Sequence, residues 1–235
     1  MGAKKIRVLA FDVFGTVVDW HGSISREVKA LGLDVDPNEF ATRWRQGYQP
    51  AMAKVASGEL EWTLIDDLHR MILDDLLAYF SIVDLDEQQK QHLNKVWHRL
   101  SAWEDSVEGL NCMKMNHTIC TLSNGNLGLL TNMAKHARLP WDCVLSAEVF
   151  KKYKPDPNTY LGVCRVFDVD PQETMLVAAH QSDLDAARAC GLQTAYVERR
   201  FEFGKGSPKC VSGSSENTLH ARDFIDLADQ LAHKY

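Results

Sequence analysis

The constraint that most limits this chain's fold is one apolar strand whose partners all lie far away in sequence. Residues 6–13, IRVLAFDV, form a continuous apolar run with β-branched and aromatic members, the pattern of a central parallel strand covered on both faces. From about residue 23 to residue 100 the pattern becomes helical, through "SREVKALGL", "DPNEFATRWRQGYQPAMAKVA", "EWTLIDDLHRMILDDLLAYF" and "DEQQKQHLNKVWHRL". Asp36-Pro37 and Ser57-Gly58 supply start and stop signals between these stretches. Beyond Trp103, short apolar runs alternate with amphipathic ones: "HTICTLSNG", "LGLLTNMAKHA", "DCVLSAEV", "NTYLGVCRVF", "TMLVAA", "DLDAARACG", "TAYVE" and "RDFIDLADQLAHK". Strands alternating with helices imply a right-handed parallel sheet. The expected fold is therefore α/β: a Rossmann-like parallel core with helices on both faces, and an all-helical cap inserted after the first strand. Residues 1–20 and 104–235 form the core domain and residues 21–103 the cap. The stretch "GKGSPKCVSGSSENT", residues 204–218, reads as a flexible surface loop.

With 235 residues, 45% of them hydrophobic and 25% charged, the chain has enough material for one sizeable core plus a satellite. The net charge of −6 comes with scattered Lys and Arg, so no basic stripe offers itself to nucleic acid or to an anionic membrane. A small-molecule partner is the expectation. Six cysteines without C-x-x-C spacing read as reduced, buried thiols of a cytoplasmic protein. The N-terminal apolar run is broken by Asp12, too early for a signal-peptide core and too short for a membrane span. The apolar content of the cap, including "MILDDLLAYF", leaves room for a homodimer face.

In open parallel sheets, ligands sit beyond the carboxyl ends of the strands, and Asp12, Ser123-Asn124, Lys154 and residues 180–183 all fall at such ends. Burying a carboxylate at a strand end is costly unless something repays it. Asp12 there can be a turn-former or helix cap, or it can be a nucleophile that forms an ester which water later opens. The "TLSNG" segment can be a polar turn, or its hydroxyl, amide and backbone N–H groups can hold an anion. Lys154, in a loop stiffened by two prolines, can be an ordinary solvated lysine or the counter-ion that keeps Asp12 ionised.

Taken in order, "FDVFGTVVD", "TLSNG", Lys154 in "YKPDP" and "VAAHQSDLDAARACG" resemble the motifs of the haloacid dehalogenase superfamily, and the resemblance covers essentially the whole chain. Phosphatases of that superfamily carry an acid two residues after the nucleophile, where this sequence has Phe14. They also carry a Mg²⁺-binding Asp where it has Ala179. The pattern is instead similar to the L-2-haloacid dehalogenase branch. That resemblance implies hydrolysis of short 2-haloalkanoic acids, L-2-haloacids or haloacetates, to 2-hydroxy acids, with no metal and no cofactor. It makes Asp12 the nucleophile, with Thr16 bonded to its carboxylate and Asp183 orienting Lys154. Ser123 and the amides near Val13 and Phe14 would hold the substrate carboxylate. Arg45 in "TRWRQ", with Asn124, would receive the halide, Trp62 would wall the halide pocket, and Tyr160 would sit in the site.

The branch has Ser and Asn where this chain has Ala178 and His180, and an aromatic where it has Ser182. His180 is accordingly expected to take over the Asn role, to narrow the pocket toward a small haloacetate, or to serve structure alone. Two further functions remain in view: a phosphatase with an altered metal site, for which Asp19 would have to replace the missing acid, and a catalytically inactive binding protein of the same fold.

Overall fold

The computed structural model describes residues 5–234. The first few residues and Tyr235, which the expected core range includes, lie outside them. Strand β1 (Val8–Phe11) is buried along its whole length, as its continuous apolar run requires. It is followed by a tight turn and a short strand, β2 (Val18–Asp19). The chain then runs through α1 (Trp20–Ala30), α2 (Pro37–Gln46), α3 (Tyr48–Ser57), α4 (Ile65–Tyr79), α5 (Glu87–Asn94) and a 3₁₀ turn, Lys95–Arg99. It returns in β3 (Ser101–Ala102), which pairs antiparallel with β2, so the helical segment leaves and re-enters the core side by side. The core continues with α6 (Ser106–Lys114), β4 (Thr118–Thr121), α7 (Leu127–Ala137), α8 (Ala147–Phe150) and α9 (Pro157–Phe167). It ends with β5 (Thr174–Ala178), α10 (Gln181–Ala189), β6 (Gln193–Val197), β7 (Leu219–Ala221) and α11 (Phe224–Lys234).

Five strands form one parallel sheet in the order β4-β1-β5-β6-β7. The expected α/β architecture is what the chain adopts. Phe11 is level with Thr121 on one side and Val177 on the other. This register brings Asp12, Ser123 and residues 178–180 to one end of the sheet, between neighbours whose connections diverge, which is where α/β proteins hold ligands.

Several expected elements differ in detail. The helix read through residues 36–56 breaks at Gly47 into α2 and α3. Pro50 explains the break: it has no N–H to offer the carbonyl four residues earlier, and its ring is tolerated only in a helix's first turn. The run "DCVLSAEV" is not a strand. It makes only isolated bridges, at Cys143 and Ser146. The hydroxyl of Thr121 donates to Leu145 O (2.6 Å) and accepts from Leu145 N (2.9 Å), replacing ladder bonds with side-chain ones, and Ser146 then caps α8. The segment 204–218 is exposed over much of its length but is anchored inward, through Lys209 and through Ser214 N donating to Gln181. All six cysteines are free thiols, yet only Cys120 and Cys164 are buried and Cys210 is exposed, contrary to the expectation that all are buried. Among the described residues no helix is long and apolar enough to cross a membrane.

Candidate active site

The site is assembled by the turn after β1. Gly15 adopts φ +83°, in the left-handed region that favours glycine, and an added Cβ would meet Glu202 Oε1 at 2.2 Å. This turn brings Thr16 back over the strand end. Its hydroxyl donates to Asp12 Oδ2 (2.6 Å) and accepts from Ala179 N (3.0 Å), tying the ends of β1 and β5 together.

Asp12 is the centre of a charged cluster almost sealed from solvent. Lys154 Nζ donates to Asp12 Oδ1 (3.0 Å) and to Asp183 Oδ2 (2.5 Å), and Tyr160 OH donates to the other oxygen of Asp183 (2.6 Å). Asn124 holds Lys154 in place through its backbone, with Oδ1 accepting from Lys154 N at 2.8 Å. Burial alone would raise the Asp12 carboxyl, but the Lys154 ammonium, His180 and the Thr16 hydroxyl outweigh it and hold the group well below the usual carboxylate range. Burial would likewise lower Lys154, and Asp12 and Asp183 overcome it, so its ammonium is held above its ordinary range. Oδ2 of Asp12 takes two donors and Oδ1 only one, which leaves Oδ1 the oxygen with a free lone pair.

His180 stands between two carboxylates, with Nδ1 3.0 Å from Asp12 Oδ2 and Nε2 2.8 Å from Glu202 Oε1. An ionised carboxylate only accepts, so both ring nitrogens donate and the ring is an imidazolium. Burial opposes that charge, but Glu202 and Asp12 push its pKa up to about 9. Because this folded value lies above the ordinary 6.5, the stability His180 contributes is fully present below pH 6.5 and is lost as pH rises toward 9. Thermal unfolding of the wild type is therefore expected to lose Tm across that window relative to His180→Asn, which has no proton to release. Parallel Tm profiles for the two proteins would contradict the assignment.

Above the cluster lies a cavity of about 270 Å³ whose walls include Asp12, Phe14, Ser123, Asn124 and Lys154 from the core, with Arg45 and Tyr48 from the helical segment. Arg45 lies 4.4 Å over the Tyr48 ring, and among the described residues no carboxylate pairs with it. It is the uncommitted cation of the cavity. Phe14 packs edge-on to Tyr48 and Trp97, so an apolar ring occupies the place where an acid would have to stand.

The structure thus brings together Asp12, Phe14, Thr16, Arg45, Ser123, Asn124, Lys154, Tyr160, His180 and Asp183. It does not bring Trp62 to them. Trp62 packs against Tyr153 with ring centroids 4.7 Å apart and ring planes tilted by 33°, and lines an adjoining cavity of about 580 Å³, because residues 59–64 are a non-helical connection leading away from the site. Tyr48 supplies the aromatic wall instead. Val13 turns its side chain into the core, so only its backbone faces the strand end. Asp19 caps α1, accepting from Gly22 N at 2.8 Å, and is not part of the cavity wall. Sequence reasoning missed Tyr48, which opens α3 three residues after Arg45 of α2, and it missed Glu202 and Lys209, which carry no local signal.

A parallel sheet interrupted after its first strand by a helical insert, with a buried carboxylate and an unpaired guanidinium lining one small cavity, places the chain among α/β folds with a charged pocket at the strand ends. The family model described as haloacid dehalogenase-like hydrolase matches residues 6–191. Among solved structures, the L-2-haloacid dehalogenase PA0810 superposes with a TM-score of 0.92 at 44% identity, covering 97% of this chain and all of that one. The defluorinating L-2-haloacid dehalogenase Rha0230 gives 0.91 at 41% identity, over 97% and 95%. The (S)-2-haloacid dehalogenase 4A of Burkholderia cepacia is 29% identical over 199 residues, 83% of this chain and 84% of that protein. A phosphoglycolate phosphatase of Nitrosospira multiformis is 30% identical over 210 residues, 85% and 86%. The chain belongs to the haloacid dehalogenase-like hydrolases.

Proposed function

We propose that the protein hydrolyses the carbon–halogen bond of short 2-haloalkanoic acids, L-2-haloacids or haloacetates, through an ester on Asp12 with inversion at the substrate carbon. The observation that carries this reading is the pairing across one cavity of an ionised Asp12 with the unpaired Arg45, where an apolar Phe14 replaces the acid a phosphatase needs. A halide leaves without a proton, so the missing acid costs this reaction nothing. A phosphate ester's leaving group requires one.

Asp12 Oδ1 attacks the carbon in line with the carbon–halogen bond. Ser123 and the amides near Val13 and Phe14 hold the substrate carboxylate, and Arg45 with Asn124 receives the halide. A guanidinium suits that role because it stays charged when partly desolvated. Water then attacks the Asp12 carboxyl carbon beside the Lys154–Asp183 pair, releasing the 2-hydroxy acid and restoring Asp12. Residues 21–103 act as the cap that closes this cavity. The six free thiols suit a cytoplasmic setting, and Met71 and Tyr79, exposed on α4, offer a face for a homodimer.

The test is halide release from chloroacetate, fluoroacetate and each enantiomer of 2-chloropropionate in EDTA, with fluoroacetate included because Rha0230 is defluorinating. Release from chloroacetate and from only one enantiomer is expected. No release from any of them, with Mg²⁺-dependent hydrolysis of phosphoglycolate, would transfer the protein to the phosphatases.

A further inference from the structure

The proposed reaction leaves unused the most deeply buried acid near the site. Glu202 is 1% exposed and lies in the charged stretch "ERRFEF" after β6. Its Oε1 accepts from His180 Nε2 (2.8 Å) and from Trp20 Nε1 (3.3 Å), and its Oε2 from Lys209 Nζ (2.5 Å). Lys209 also donates to Ala179 O (2.9 Å), next to His180 in the chain. Gly15 leaves room for the carboxylate where any side chain would strike it. A buried acid is costly, and this one is held by three donors from separate parts of the chain. Of the groups Glu202 holds, His180 is the one that reaches on to Asp12.

We propose that Glu202, anchored by Lys209 and Trp20, is a positioning residue that holds His180 as the charged half of an oxyanion hole at Asp12 Oδ2, serving hydrolysis of the ester. This rests on the ester reading above. Once Oδ1 carries the substrate, Oδ2 is the ester's carbonyl oxygen, and it already receives Thr16 Oγ1 at 2.6 Å and His180 Nδ1 at 3.0 Å. Both are within hydrogen-bond reach of the oxygen on which the oxyanion would form. Water forms a bond to Asp12 Cγ, and the carbonyl electron pair moves onto Oδ2 between the two donors. The water's proton passes to Asp183. Collapse then breaks the Cγ–Oδ1(ester) bond, the leaving alkoxide takes a proton from Lys154, and Asp183 returns one to Lys154 across their hydrogen bond. The new Asp12 carboxyl gives the water's second proton to solvent, so one proton is released per halide.

Charge counting favours this role. The cluster holds three carboxylates, Asp12, Asp183 and Glu202, and three cations, Lys154, Lys209 and His180. Ester formation removes the charge of Asp12 and would weaken the hold on the imidazolium's proton. Glu202 remains, and it is the strongest attraction acting on His180. The cation is thus retained for the step in which negative charge appears on Oδ2.

The experiment is rapid-quench halide release from chloroacetate by wild type, Glu202→Gln and His180→Asn, with mass analysis of the Asp12 peptide and kcat measured against pH. For Glu202→Gln, the first equivalent of halide should appear within about threefold of the wild-type rate, while kcat falls about 10²-fold and ester accumulates on Asp12. Its kcat should also decline at lower pH than that of wild type, because the imidazolium loses its proton more readily. In the His180→Asn background, Glu202→Gln should change kcat no further. Slowed first-equivalent release without ester accumulation, or an unshifted pH profile, would overturn the proposal while leaving the dehalogenase reading intact. If Glu202→Gln does not fold, His180→Asn alone must accumulate ester and lose the alkaline decline, and its failure to do so overturns the proposal equally. Absence of halide release by wild type would overturn both readings.

Discussion

Replacing Asp12 with asparagine is expected to abolish halide release, by on the order of 10⁴-fold or more, in a protein that still folds and still binds a haloacid. The size of the effect follows from the chemistry. An amide oxygen is a far weaker nucleophile than a carboxylate held ionised by Lys154, His180 and Thr16, and among the described residues the other carboxylate lining the cavity, Asp183, has both of its oxygens engaged. Folding should survive because asparagine preserves the shape, and Lys154 keeps Asp183 as its partner. Halide-ion measurement alongside near-ultraviolet circular dichroism checks both halves. A folded variant that retained more than a few per cent of wild-type release would remove Asp12 from the nucleophile's role and end the ester mechanism.

How far the sequence announced this site depends on the range over which each residue is positioned. Asp12 and Thr16 share one strand-to-turn segment, and Asp183 lies in the first turn of the helix after β5, so local patterns of apolar run, turn and helix start are enough to put them at the same end of the sheet. Lys154 was legible from its two neighbouring prolines and from the order of motifs. The sheet followed for the same reason: each central strand is a short apolar run with polar residues at its end. Glu202 was not legible. Nothing in "ERRFEF" distinguishes a buried acid from the solvated charges beside it, and its burial is created by Trp20, Gly15, His180 and Lys209, which meet only in the folded chain. Lys209 was hidden for the complementary reason, since a Gly- and Ser-rich composition reports backbone freedom and not where a single lysine points. Trp62 shows the opposite error. The family resemblance made it a wall of the halide pocket, whereas the connection before α4 directs it to Tyr153 and the aromatic ring lining the cavity beside Arg45 is that of Tyr48.

Lys154→Met should combine a large loss of stability with loss of turnover, because this lysine is the shared counter-ion of two buried carboxylates. The Lys154 side chain is 7% exposed, and those of Asp12 and Asp183 are each 11% exposed. Removing one member of such a buried set strands the others in a poorly solvated place, a change that costs about 3–5 kcal/mol. Methionine fills the stem's volume, so the cost is electrostatic and not a cavity. The acid limb of the stability profile separates the two causes. Asp12's folded pKa lies below its ordinary 3.8, so the stability it contributes is present above that value and is lost as pH falls below it. Without Lys154 the depression shrinks, and urea unfolding of the variant should depend less on pH below about 4 than that of wild type. Equal pH slopes with a lowered midpoint would mean that the lysine acts through packing and not through the charge of Asp12. In that case the ionised state of Asp12 would have to be credited to His180 and Thr16 alone.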